Sequence, residues 1–166
     1  MTQVDNDAAR QAAGKGVHSL SPHLICAGAA DAIEFYREAF GATELIRLPG
    51  KDGKLMHACI RINDSSVMLV DEFPQQGSRS PKSLQGTPVS IHLIVDDVDA
   101  WMERAAGAGA AVVMPAADMF WGDRFGILED PFGHRWSIST PQRQLTTDEL
   151  HAAAADAVSE MQCPGA

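Results

Sequence analysis

The chain has little cysteine: Cys26, Cys59 and Cys163 are widely spaced and form no C-x-x-C pair. A disulfide framework or a thiolate zinc centre needs paired sulfurs, so neither organises this protein, and the three are read as reduced and structural or incidental. Long apolar runs are missing as well. None approaches the roughly 20 residues of a membrane helix, and the opening "MTQVDNDAARQAAGKG" lacks the apolar core of a secretion signal. The expectation is a cytoplasmic protein with no membrane partner. Basic clusters are equally scarce, because 13 Lys and Arg are scattered among 22 Asp and Glu, for a net charge of −9. A nucleic-acid groove requires a local positive field, so no nucleic-acid partner is expected.

What is present suits a packed domain: 166 residues with 45% hydrophobic side chains can bury a sizeable core. Residues 1–17, polar and rich in Ala and Gly, read as a flexible N-terminal tail. After them the chain repeats itself. "SPHLI" at 21–25 returns 69 residues later as "SIHLI" at 90–94, and "DA" at 31–32 and "GA" at 41–42 each return after 68. Spacing kept across three landmarks indicates two copies of one supersecondary unit.

Each copy opens with a strand, at 22–27 and 89–95. In the second, Ile91, Leu93 and Val95 share the face expected to meet a helix, leaving Ser90, His92 and Ile94 on the other. A helix follows at 30–40, with Ile33, Tyr36, Ala39 and Phe40 as its apolar stripe and Gly41 as its C-terminal cap, and its counterpart spans 97–107. Three more strands complete each unit, at 43–48, 55–62 and 66–71, then at 111–114, 124–129 and 134–139. "NDSS" at 63–66 and "DPFG" at 130–133 supply hairpin turns. The fold class is therefore α+β, with two tandem βαβββ modules at 20–72 and 88–140 within a domain spanning 18–140. The polar stretch 73–87 is a linker that can serve as a lid. Residues 141–166 hold a C-terminal helix and tail, announced by a capping box at Thr146 and Glu149, with Leu150, Ala154, Val158 and Met161 on one face.

The segments "DAIEFYREAFGA" (31–42), "MHACIRINDSSVMLVDE" (56–72), "SIHLIVDDVDA" (90–100) and "DMFWGDRFGILEDPFGHRWSI" (118–138) resemble the vicinal oxygen chelate superfamily, the glyoxalase/bleomycin resistance/dioxygenase fold, and its PhnB-like branch in particular. The resemblance implies a curved mixed sheet around a cavity and a homodimer, sometimes with modules exchanged between chains. It leaves the chemistry open between metal-dependent isomerases, lyases and dioxygenases and proteins that bind drugs without catalysis. It also implies four metal ligands on the first and fourth strands of each module. Carried onto this chain, those positions are Ser21 and Met68, then Ser90 and Ser137. Ser and Met are poor ligands for metals that prefer imidazole and carboxylate, so the usual quartet is not expected.

An atypical divalent-metal site built on His23 and His92, completed by Asp71 or Glu72, is the alternative; His57 is a weaker candidate. The expected ligand-binding residues are His23, Ser90, His92, Trp121, Arg124 and Ser137. Trp121 would stack over a small-molecule ligand at the cavity mouth, and Arg124 would grip an anion, unless Arg124 pairs with Asp123. Strand parity sends Trp136 under the helix and Arg135 to the cavity rim, while His134, just after the turn, is expected to face solvent or bond turn backbone. No nucleophile stands beside a base. Two functions remain: a binder of a small, partly apolar or anionic molecule without the metal quartet, and a metal-dependent glyoxalase-like enzyme using His23 and His92.

Overall fold

The computed structural model describes residues 7–162. Cys163 and residues 1–6 lie outside them. The elements run α1 (Asp7–Ala13), β1 (His23–Cys26), α2 (Ala29–Phe40), β2 (Thr43–Pro49), β3 (Leu55–Ile62), β4 (Ser65–Asp71), α3 (Pro81–Leu84), β5 (Ser90–Ile94), α4 (Val98–Gly107), β6 (Ala111–Asp118), β7 (Asp123–Glu129), β8 (Arg135–Pro141) and α5 (Thr147–Gln162). They form two four-stranded mixed sheets of identical order, β1-β4-β3-β2 and β5-β8-β7-β6, each with its first strand parallel to its fourth. That is the βαβββ unit, twice.

The repeat extends to register. His23 lies opposite Met68 and His92 opposite Ser137, so the pairings of the two modules superimpose with the 69-residue offset of the sequence. In each module the face of alternate parity takes the helix. Leu24, Ala58, Ile60 and Leu69 are buried beneath α2, and Leu93, Leu128, Trp136 and Ile138 form the matching layer of the second sheet. Gly126 belongs to that layer and makes room for Met102 on α4: a Cβ there would fall 2.2 Å from its sulfur, so the Met102 side chain would have to move.

The modules are joined through their helices. The Phe40 ring lies 4.8 Å from Trp136 and 6.2 Å from Trp101, and Arg104 donates from Nε to the Ala39 carbonyl at 2.6 Å. A polar hub lies within this contact. Asp130, 3% exposed, accepts from Tyr36 Oη at 2.6 Å and Trp136 Nε1 at 2.9 Å on Oδ2, and from the backbone of Phe132 and His134 on Oδ1.

Three features differ from the sequence expectations. Part of the N-terminal tail is a helix, α1, whose residues are not buried. The second copy's β6 runs on to Asp118 despite Pro115, because register shifts between Val112 and Ala117 bulge the strand where proline cannot donate. The linker has structure of its own: a 3-10 turn at Pro74–Gln76 and the short α3, forming a strap. Glu72 Oε2 holds the strap down, accepting from Ser80 N, Ser80 Oγ and Ser83 Oγ at 3.0, 2.7 and 2.7 Å. The capping box is formed as the sequence predicts, with Thr146 and Glu149 bonding each other's side chain and backbone. Among the described residues no helix is long and apolar enough to cross a membrane.

Candidate functional site

β1 and β5 are edge strands, and a cleft of ≈ 640 Å³ is lined by residues of the β1 and β5 ends of the modules. One wall comes from His18, Ser21 and Ser66 and the other from Ser90, Ile91 and His92, with Trp136 also lining it. The first wall is tightly organised. Ser66, 1% exposed, accepts from the His18 backbone N–H at 2.9 Å and shares a 2.6 Å bond with Ser21 Oγ. Its own backbone N–H donates to His18 Nδ1 at 3.2 Å, so that nitrogen carries a lone pair.

Across the cleft, His92 Nδ1 lies 2.9 Å from Ser137 Oγ and Nε2 lies 3.3 Å from Ser139 Oγ. Both serines are buried and on the sheet face opposite Trp136, and they hold the imidazole in one orientation. Phe125 extends the surface, its ring 6.2 Å from His92 at 22°, and Trp121 meets Phe125 edge-on at 5.5 Å. His92, Ser137 and Trp121 are thus brought into one continuous patch, with Ser90 two residues along the same strand.

Arg124 stands apart from that patch. It pairs in β7 with Thr140, on the helix side of the sheet, and its guanidinium is bound by Asp99 at 2.6 and 2.8 Å and by Asp118 at 3.1 Å. Asp123 is not the partner. These bonds raise the Arg124 guanidinium further and lower the Asp99 carboxyl.

His23 and His92 line different clefts, His92 the larger and His23 a smaller one beside it. The His23 ring faces His57 at 6.2 Å, and burial followed by repulsion from His57 lowers the His23 pKa. The carboxylates that might have completed a metal set are engaged elsewhere. Asp71, buried, accepts from the backbone of Gly28 and Ala29 at the start of α2 and from Leu55. Glu72 holds the strap. Among the described residues no group of three or more His, Cys, Asp or Glu is placed to hold a metal ion. The donor set is also wrong in kind: the in-register positions carry His23, Met68, His92 and Ser137, and the unprotonated nitrogen of a neutral His92 already faces a serine hydroxyl. These residues do not fit the superfamily's metal.

His134 is another correction. It is buried where the strap packs over the turn, and its Nδ1 has no hydrogen-bond partner, Asp130 Oδ2 lying 3.5 Å away. Arg135 is exposed at the rim beside Glu129, as parity predicts. Phe125 and Ser139 were legible in principle, since they share the parity of Ser137 on paired strands. No pattern in the sequence marks His18, which precedes the first strand.

A family model described as the Glyoxalase/Bleomycin resistance protein/Dioxygenase superfamily matches residues 17–138. An uncharacterized protein of Mycobacterium tuberculosis strain H37Rv is 55% identical over 138 residues, covering 81% of this chain and 81% of that one. Among solved structures, TnmS3, an antibiotic binding protein from Streptomyces sp. CB03234, is 28% identical with a TM-score of 0.54, covering 72% of this chain and 92% of that chain. A PhnB protein from Bacillus cereus shares the fold at 17% identity and a TM-score of 0.57, covering 74% of this chain and 99% of that chain.

Proposed function

The chain belongs to the glyoxalase/bleomycin resistance protein/dioxygenase superfamily, and from that premise we propose that it binds a small, partly apolar, uncharged molecule in the inter-module cleft without a metal. The observation that carries this reading is the make-up of the cleft wall. It presents hydroxyls and imidazoles over an apolar floor, and no Lys, Arg, Asp or Glu lines it. Such a wall orients a ligand through a few neutral hydrogen bonds while burying its apolar body. A charged ligand would lose hydration there with no counter-charge to replace it. The antibiotic-binding relative TnmS3 supports a binder over an enzyme, as does a His92 whose two nitrogens face Ser137 and Ser139.

On this reading His92, held by Ser137 and Ser139, presents its ring surface to the ligand; Ser90 offers a hydroxyl; Trp121 and Phe125 present an aromatic surface beside them. His23 lies at the β1 edge and Arg124 outside the site. We further propose that the protein acts as a homodimer, because apolar side chains such as Ile46, Leu48 and Ile94 stand 44 to 59% exposed on the strands of the single chain.

The test is a binding screen of neutral aromatic, oxygen-bearing compounds against purified protein, read by Trp fluorescence before and after chelator treatment. Binding that survives chelation and weakens about tenfold or more in His92→Ala is the expected result, from the loss of the imidazole surface and of the partner that orients the Ser137 and Ser139 hydroxyls. Stoichiometric metal retained after desalting, together with an activity lost in both His23→Ala and His92→Ala, would overturn it. Light scattering should give twice the chain mass if the dimer forms.

A further inference from the structure

A second, smaller cleft of ≈ 260 Å³ lies under the strap. Leu24 and Ile91, from the edge strands of the two modules, and Pro81 and Leu84 from the strap line it, and Arg79, His23 and His134 are among its polar groups. Its chemistry differs from that of the larger cleft in one respect: it has a cation. Arg79 makes no hydrogen bond or ion pair within the described residues. The surrounding sequence is biased the same way, since residues 73–95 contain Arg79 and Lys82 and no Asp or Glu, in a chain whose net charge is −9.

The cleft is also built. Glu72 ties the strap at Ser80 and Ser83, and Pro81 closes so tightly on the DPFG turn that a Cβ at Gly133, φ +89°, would come within 3.0 Å of it. Beside it His134, 7% exposed, leaves Nδ1 with nothing nearer than Asp130 Oδ2 at 3.5 Å. The His134 Nδ1 is turned to Asp130 and out of a ligand's reach, so the group that a bound anion would complete is the unpaired Arg79 guanidinium.

We propose that this cleft, which adjoins the larger one along Pro22, Val89 and Ile91, is a second binding site, for a small carboxylate with an apolar body: the carboxylate pairs with the Arg79 guanidinium and the body packs between Leu24, Ile91, Pro81 and Leu84. Room equal to roughly nine water volumes, at ~30 Å³ each, limits the ligand to a single ring or a short chain. The forked guanidinium selects a planar carboxylate over an amide of the same shape.

The test is calorimetric titration of the full chain with benzoate and with its neutral isostere benzamide. Benzoate is expected to bind one per chain, at least tenfold tighter than benzamide and more weakly as salt rises. In Arg79→Gln the preference for benzoate disappears. In Leu84→Trp, where a larger side chain fills the cleft, benzoate binding is lost, whereas His92→Ala leaves it unchanged. Equal or absent binding of the two probes would overturn the proposal, as would an unchanged benzoate affinity in Arg79→Gln. Loss of benzoate binding in His92→Ala with retention in Leu84→Trp would also overturn it, by placing the anion in the larger cleft. Because the screen for the neutral ligand depends on His92 and this one on Arg79 and Leu84, either site can fail without the other.

Discussion

Asp130 keeps a carboxylate in the interior because donors reach both of its oxygens: Tyr36 Oη and Trp136 Nε1 on one, the Phe132 and His134 amides on the other. Burial alone would push its pKa up; the His134 ring close by and the bonds from Tyr36 and Trp136 outweigh it and hold the carboxyl below its ordinary value. Removing the acceptor strands several buried donors at once. Asp130→Ala should therefore cost about 3–5 kcal/mol in urea unfolding, against about 1–2 kcal/mol for Tyr36→Phe, which deletes one donor from a charged acceptor. The sign with pH follows from the lowered value. This stabilisation is complete above the unfolded carboxylate pKa of roughly 4 and is lost as pH falls through the lower folded value, so stability should decline with acid below about pH 4. An Asp130→Ala variant whose stability falls as steeply over that range would show that other carboxylates dominate. The sequence made the DPFG turn legible but not this role, because Tyr36 lies 94 residues away. For the same reason His134 reads as solvent-facing or bonded to turn backbone: nothing local to the turn reveals the strap that covers it.

The strap shows how a segment with no periodic pattern acquires structure from one side chain. Its residues bury little, and α3 is only four residues long, so its placement rests on Glu72 capping it through Ser80 and Ser83. Those bonds, from Ser83 first and then Ser80, bring the Glu72 carboxyl down to about 2. The tether is therefore fully present above roughly pH 4.5 and is lost only as pH falls toward that folded value. Glu72→Gln should loosen the strap locally: amide exchange at residues 80–84 should accelerate at neutral pH while exchange in β3 and β4 is unchanged. Equal acceleration throughout the first sheet would instead make Glu72 a determinant of the module. At the other end of the chain, α5 depends on its capping box, since none of residues 147–159 is buried. Thr146→Ala should weaken that helix by about 1 kcal/mol, seen as faster exchange in its first turns with no change in the global melting temperature. Both the box and the strands were readable because each is a local signal. The apolar stripe of α5 was readable too, at Leu150, Ala154 and Val158, but not that none of these three is buried; the Met161 side chain lies outside the described ones.

The two modules unfold as one body or as two depending on what crosses between them. The repeat in the sequence revealed two equivalent sheets and even their common register, because a parity pattern is written along each strand. It could not reveal how they join, since the joining residues are core residues of their own module by pattern: Phe40 completes the α2 stripe, and Trp136 alternates correctly on β8. The same limit applies to the candidate site. Ser90, His92 and Ser137 were legible from the repeat, whereas the separation of His23 from His92 depends on how the two edge strands lie together. Phe40 carries much of the join, stacked on Trp101 at 19° and packed 4.8 Å from Trp136. Phe40→Ala should cost about 3–5 kcal/mol, the transfer loss plus an unfilled cavity. The more informative readout is cooperativity. All three Trp residues lie in the second module and the buried Cys26 and Cys59 in the first, so in a Cys163→Ser background fluorescence and thiol labelling report the modules separately. In the native chain the two denaturation curves should coincide, as for a single cooperative unit. In Phe40→Ala, Cys26 and Cys59 should become reactive at a lower denaturant concentration than the fluorescence change, because the first module loses its support while the second keeps its Trp136 layer on β7 and β8. Coincident curves in the variant would place the coupling in the Asp130 and Arg104 bonds instead, and the double variant Phe40→Ala, Tyr36→Phe would then be the one to separate them.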